Sequence, residues 1–286
     1  MENVQVKKHK KVKRGTFSKW VVFAVLLLFA VIMMYPLIWM LSTSVKANRH
    51  VYGTGLIPPE WHFENYVNIW TEVDLLRGFL NSTLITVPIV VCSVFFSGLA
   101  AYAFAKLQFP GKTGAFFGML ASSMVPFAVV MLPQFILFRE MGMLTGATAY
   151  VIPRLMGGIF TIFFLRQFLY GIPDSIIEAA KLDGASQPVI FIRVVLPLLT
   201  PALVAQIILG FINTWNDYLG PLVFIRSQDW LTLPLILSAF NSGTTGANNE
   251  TPMLMAASLL SMVPVLIIFA AFQKQIINNG ILSGVK

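Results

Sequence analysis

The run Glu178-Ala179-Ala180-Lys181-Leu182-Asp183-Gly184-Ala185 has the chemistry of a handle rather than of a catalyst. Two carboxylates, on Glu178 and Asp183, flank alanines small enough for another surface to come close to the backbone. Gly184 permits a reversal of the chain. Pro173 suits the first turn of a helix, with Asp174 and Ser175 supplying acceptors near its start. Ser175, followed three residues on by Glu178, matches a capping box. The helix is expected to pass through Ile176, Ile177, Ala180 and Leu182 and to stop at Asp183-Gly184, where a glycine suits a left-handed C-terminal residue. Ser186 is then expected to cap a second segment, with Pro188 in its first turn, running through Phe191 and Ile192 into Leu196-Pro197. Two short helices hinged at a glycine form a charged knob that a soluble partner can grip. By themselves the same residues are better accounted for by a solvated helix, on which Glu178 and Asp183 only cap and solubilise.

No residues here suit catalysis. The phosphate-binding pattern Gly-x-x-x-x-Gly-Lys-Ser/Thr does not occur, and Gly53-Thr54-Gly55 lacks the lysine. The three histidines, His9, His50 and His62, are scattered, and the single cysteine, Cys92, lies in an apolar run. Neither a metal cluster nor a nucleophile-base pair is expected, so the chain is not read as an enzyme. A second polar group lies inside or at the ends of apolar stretches: Asn213, Trp215, Asn216 and Asp217, with Gln134 and Arg154. Groups of this kind hydrogen-bond or stack on a polar solute, and an intramembrane charge points to function. Helix-to-helix hydrogen bonding is their commoner role.

The elements that must position these residues follow from composition. Of 286 residues, 11% are charged and 57% are hydrophobic, with 24 phenylalanines. An ordinary soluble domain carries about 25% charge, so the figures exclude such a domain as well as intrinsic disorder. The fold class is an all-α polytopic membrane protein. Uncharged runs long enough to cross a bilayer place six spans, at about 20–44, 82–105, 114–138, 148–170, 194–216 and 253–273. The fourth is the least clean, because Arg154 and Arg166 fall near its ends. The run Trp230 to Phe240 is too short to cross and reads as an interfacial or re-entrant piece. Residues 1–19 form a basic tail, 20–276 the membrane domain with the 171–193 loop, and 277–286 a second tail. With both termini in the cytoplasm, 14 of the 20 Lys and Arg residues fall on the inner side. The basic tail is assigned to topology and anionic lipid rather than nucleic acid.

The handle, with the trailing Leu196-Pro197 and Pro201, resembles the EAA loop in the membrane subunits of ATP-binding-cassette (ABC) importers. Asn65-Tyr66 after the outer Pro58-Pro59, Trp215-Asn216-Asp217, and the ending Gln275 to Gly280 with Gly284-Val285-Lys286 resemble the maltose-type carbohydrate permeases, in particular their smaller permease subunit. The resemblance implies the type I importer permease fold in a bacterial cytoplasmic membrane, with sugar or oligosaccharide as cargo. It further implies a second permease subunit, an extracytoplasmic sugar-binding protein and an ATPase dimer that binds the ATP and Mg, this chain holding no cofactor. Glu178, Ala179, Ala180, Asp183 and Gly184 would dock on that ATPase, and an arginine there could hold Glu178 bidentately. The segment Asn241 to Pro252 resembles in position the loop that reaches toward the binding protein. An importer of peptides, amino acids or phosphate remains open. So does an ion-coupled secondary transporter, although no carboxylate lies in a span interior and Asp217 sits at an end.

Overall fold

In the computed structural model, residues 16–53, 55–243 and 250–283 are described. Most of the basic tail, the end of the chain and the centre of the 241–252 segment lie outside these residues.

The chain begins with α1 (Thr16–Ser44), followed by a surface helix α2 (Asn65–Glu72) and the long α3 (Leu75–Lys106). Next come α4 (Lys112–Ser122), α5 (Phe127–Glu140), α6 (Thr148–Leu155) and α7 (Ile159–Tyr170). Two short helices, α8 (Asp174–Leu182) and α9 (Gln187–Ile190), lead into α10 (Leu196–Trp215). The chain closes with α11 (Leu219–Phe224), α12 (Leu233–Asn241) and α13 (Thr251–Ser283).

Among the described residues, five segments are long and apolar enough to cross a membrane, and a sixth qualifies if α4 and α5 count as one broken span. That pair corrects the expectation of a continuous helix over 114–138, because the two axes bend by 96°. The cause is local. Pro126 disfavours helical geometry at Val125 and donates no N–H. The Ser122 and Ser123 hydroxyls, meanwhile, donate to the carbonyls of Met119 and Leu120 and finish the preceding turn.

Two other boundaries shift, and the fourth span keeps its bounds but is interrupted. The second span starts at Leu75 rather than 82, since the Asp74 side chain accepts from the Arg77 backbone N–H and caps the helix early. The fourth, 148–170, is one span made of α6 and α7, interrupted at Gly157 with φ +107°. The last helix continues to Ser283, through most of the expected 277–286 tail.

α3 is the central element: 44% of its most apolar window is buried within the chain, against none of α1's. It packs against α7 and α10 along the span and against α6 and α12 toward one end. α1 leans on α13 and is otherwise bare, which suits lipid or another subunit. The run 230–240 contributes α12, too short to cross, and Leu233, Leu235, Ile236 and Phe240 bury it against its neighbours.

The connection after α1 is tied by polar contacts. Asn65 Nδ2 donates to the carbonyls of Ser44 and Lys46, and the buried Lys46 ammonium donates to the Gly55 carbonyl. Further out, Arg49 pairs with Glu60 at 2.6 Å and His62 lies between Glu60 and Glu64. The hydrogen bond to Glu64 raises the His62 pKa above its ordinary 6.5. A raised imidazole value means that the clasp is complete below the ordinary pKa and is lost as pH rises through the raised one. Protection factors of residues 55–64, which are corrected for the intrinsic base catalysis of exchange, should therefore fall as pH rises above about 6.5, and His62→Gln should remove that fall.

Candidate functional site

Helix α8 forms where expected, with Asp174 in its first turn and Lys181 in its last, each on the favourable end of the helix dipole. Its start differs from the capping box. Pro173 is the N-cap and no side chain caps the helix, because with Asp174 already helical Ser175 is the second helical residue rather than the cap. Its end is a Schellman turn. The Ala185 N–H donates to the Ala180 carbonyl and the Gly184 N–H to Lys181, with Gly184 at φ +79°. Ser186 then occupies the N-cap of α9, and Pro188 falls in its first turn.

One face of this handle is buried and the other is bare. Ile172, Ile177, Ile190 and Phe191 enter the inner core with Tyr102, Leu165, Leu169 and Val195. Glu178, Ala179, Asp183 and Gly184 face outward, whereas Ala180 is half-buried against that core. Leu182 projects at the tip with 89% of its surface exposed.

The attachment of the handle could not be read from the sequence. The Lys106 ammonium, on a side chain only 5% exposed, donates at 2.7 Å both to the Ile172 carbonyl and to Asp174 Oδ1. That hydrogen bond holds the Asp174 carboxyl below the usual carboxylate range. Tyr102, one turn earlier on α3, donates its hydroxyl to Gln187 Oε1 at 2.7 Å. Between α9 and α10 the helix widens into a π-turn over Phe191–Val195, and Phe191 wedges against Phe95 and Tyr102. Gln187 to Trp215 is thus one continuous helical path from handle to span. Arg193 stays exposed, so the buried Phe191 makes this join.

The second polar group divides. Arg154 and Asp217 come together, with Nη2 3.5 Å from Oδ2. Tyr150, buried beneath, donates its hydroxyl to the same oxygen at 2.8 Å, and Arg154 lies 4.0 Å over the Tyr150 ring. Asp217 Oδ1 accepts from the Gly220 N–H at 3.1 Å. This set braces α6 against the turn between α10 and α11. Trp215 is buried, stacked on Phe211, with its indole N–H donated to the Ser261 carbonyl at 3.0 Å. That placement corrects its assignment to a wet path, because the ring has no free face. Asn216 is exposed but returns its amide to the Ile212 carbonyl. Asn213 is exposed and Gln134 half-exposed. Near α12 a cavity of about 760 Å³ opens, with Asp74, Arg77, Tyr218, Arg226 and Gln228 in its walls.

Residues 11–279 match the family described as the binding-protein-dependent transport system inner membrane component. The chain belongs to that family. The arabino-oligosaccharide transport permease of Halalkalibacterium halodurans is 36% identical over 230 residues, covering 80% of this chain and 81% of that one. A diacetylchitobiose uptake permease of Streptomyces coelicolor is 31% identical, covering 85% of this chain and 80% of its own. Among solved structures, a chain of a bacterial ABC transporter involved in the import of alginate, an acidic polysaccharide, superposes with a TM-score of 0.78 at 27% identity, covering 89% of this chain and 95% of that one. The family and the importer permease fold implied by the EAA residues are thus established, and with them an inner-membrane transport component.

Some of the residues in these arrangements carried no distinctive signal. Lys106 looked like an ordinary charge ending an apolar run, and Tyr102 like core. Tyr150 lies one helical turn before Arg154, which was visible, but nothing in the order of residues placed Asp217 beside them.

Proposed function

We propose that this chain is one permease half of an ATP-binding-cassette importer for a sugar or oligosaccharide, moved by a separate ATPase that grips α8 and its turn. The observation that carries the reading is the bare face of α8. A helix closed by a Schellman turn holds Glu178, Ala179, Leu182 and Asp183 outward, and all four are exposed. Leu182 supplies an apolar anchor, Ala179 allows close approach, and Glu178 offers a carboxylate to a guanidinium. Closure of the ATPase around ATP would displace the handle, and the energy is the difference in ATP affinity between the closed and open states.

A second subunit is part of the reading. At the α4–α5 bend Met124 is 82% exposed and the chain is broken at membrane depth. Broken backbone is tolerated there only where protein covers it or water fills a cavity beside it. The sugar cargo is supported by relatives that carry arabino-oligosaccharides and diacetylchitobiose, and the family description supports an extracytoplasmic binding protein. Both termini and the handle would then lie in the cytoplasm. An ion-coupled transporter is disfavoured, because Asp217, the carboxylate nearest a span interior, is held by Arg154 and Tyr150.

The test is to purify the chain with its neighbouring gene products and to measure ATP hydrolysis over a panel of oligosaccharides, amino acids and peptides. Stimulation by an oligosaccharide is expected, as is labelling of Ser186→Cys only from the cytoplasmic side. Stimulation by amino acids or peptides alone, or labelling of that cysteine from outside sealed cells, would overturn the reading.

A further inference from the structure

Beyond its chain connections and the apolar face that it buries with Tyr102, Leu165 and Leu169, α8 is held by Lys106, a polar contact to a helix that is not its neighbour in sequence. Lys106 and Tyr102 lie four residues apart, on one face of α3, and they hold α8 and α9 respectively. Both halves of the handle are therefore pinned to the same end of the same helix.

The opposite end of α3 is pinned as well. Asn81 Nδ2 donates to the carbonyls of Asp229 and Leu231, each at 2.9 Å, and Ser82 Oγ accepts from the Leu233 N–H at 2.8 Å. Arg77 reaches Asp229 at 2.9 Å. These bonds clamp the stretch that opens α12, and that stretch forms one wall of the 760 Å³ cavity through Leu231, Leu235 and Ile236. Between the two pinned ends run 32 residues of helix, about 48 Å at 1.5 Å per residue. Pro88 interrupts the hydrogen-bond ladder midway, but buried Ile85, Ile89 and Val90 brace that turn. α10, the helix continuous with the handle, ends differently: Trp215 donates to Ser261 of α13 and packs in one apolar cluster with Leu233 and Phe240, and its polar tie to α12 is Ser238 Oγ donating to the Tyr218 hydroxyl at 3.3 Å, longer than the Asn81 and Ser82 bonds.

We infer that α3 is a strut carrying movement of the handle to the α12 wall of the outer cavity, with Lys106 as the positioning residue that engages it. The inference rests on the proposed docking of an ATPase at α8 and adds the route by which docking reaches the far side of the membrane. Without Lys106, only non-directional apolar packing ties α8 to α3, and α8 can slide about the Gly184 turn while α3 stays still. The ATPase would then close and hydrolyse without altering the cavity.

The experiment uses the complete importer in lipid nanodiscs, in a Cys92→Ala background with nitroxides on Thr71→Cys and Gln228→Cys. These positions lie at the end of α2 and in the cavity wall. Interspin distance is measured without nucleotide and after trapping with ATP, Mg²⁺ and vanadate, alongside ATPase rate. In the otherwise unaltered chain, trapping is expected to shift the distance. In Lys106→Met, ATPase subunits stay bound and active, the ratio of shifted to unshifted molecules falls roughly 2- to 30-fold, and Lys106→Arg restores it. Asn81→Ala cuts the far pin without touching the handle and should give the same uncoupling, which keeps the test available if Lys106→Met fails to fold. A full shift in both Lys106→Met and Asn81→Ala overturns the strut, as does a distance that never responds to trapping. ATPase activity and distance shift falling in parallel would make Lys106 a docking or folding residue only. Failure of the ATPase to bind the unaltered chain would instead refute the proposed function.

Discussion

Exchanging Leu182 for aspartate is expected to detach the ATPase from the importer while the permease chain remains folded. Leu182 sits at the tip of α8, 89% exposed, and contributes to none of the three core clusters, so its loss costs the isolated chain little. Buried in a partner's cleft, a leucine side chain is worth about 1.5–3 kcal/mol. The aspartate removes that term and adds a carboxylate beside Asp183, at the C-terminal end of a helix where negative charge is unfavourable. A central interface anchor costs at least about 2 kcal/mol on truncation, and the misplaced charge adds to it, so a weakening of roughly 100-fold or more is expected. Co-purification and a titration of ATPase onto nanodisc-held permease measure it, and the thermal midpoint of the permease serves as control. Stoichiometric ATPase on a Leu182→Asp importer would remove the tip of α8 from the interface.

Gly220→Ala is expected to be the most crowded glycine-to-alanine change among the described residues. A Cβ there would stand 2.6 Å from Asp217 Oδ2, 2.6 Å from Tyr150 Cε2 and 2.9 Å from Arg154 Nη2. None of these can yield cheaply: the Tyr150 ring is 1% exposed, and the two charged groups are held by it and by each other. Overpacking of this kind costs about 1–3 kcal/mol, and a buried hydroxyl parted from its acceptor costs about 1–3 kcal/mol more. A total near 3 kcal/mol should appear as a lower unfolding temperature and a shorter half-life in detergent, with α6 separating from α11. Full stability in Gly220→Ala would mean that the Tyr150–Arg154–Asp217 set does not brace those helices.

The two sites differed in how far the order of residues could reveal them. The handle is local: Pro173, the paired alanines, Asp183-Gly184, Ser186 and Pro188 lie within sixteen residues, and each acts on the backbone beside it. Its helix, reversal and restart were therefore legible. The brace around Asp217 depends on residues 67 positions apart, and the pin at Lys106 on residues 68 apart. A lysine that ends an apolar run looks the same whether it faces water or lies 5% exposed on a carbonyl. The same limit explains Trp215: an indole at a helix end suits a wet path or a buried stack, and only the presence of Phe211 and the Ser261 carbonyl decides.

Composition and short-range patterning determined that the chain lives in a membrane, where most of its spans fall, and which loop is shaped for gripping. All of these follow from the cost of placing charge in hydrocarbon and from backbone preferences acting over a few residues. Tertiary structure alone decided that the span at 114–138 is broken, that Arg154 and Asp217 pair, and that α3 is bonded to the handle at one end and to the segment leading into α12 at the other. Those outcomes turn on which helix faces meet, and apolar side chains in lipid pack against many partners at nearly equal cost, so hydropathy does not encode the choice.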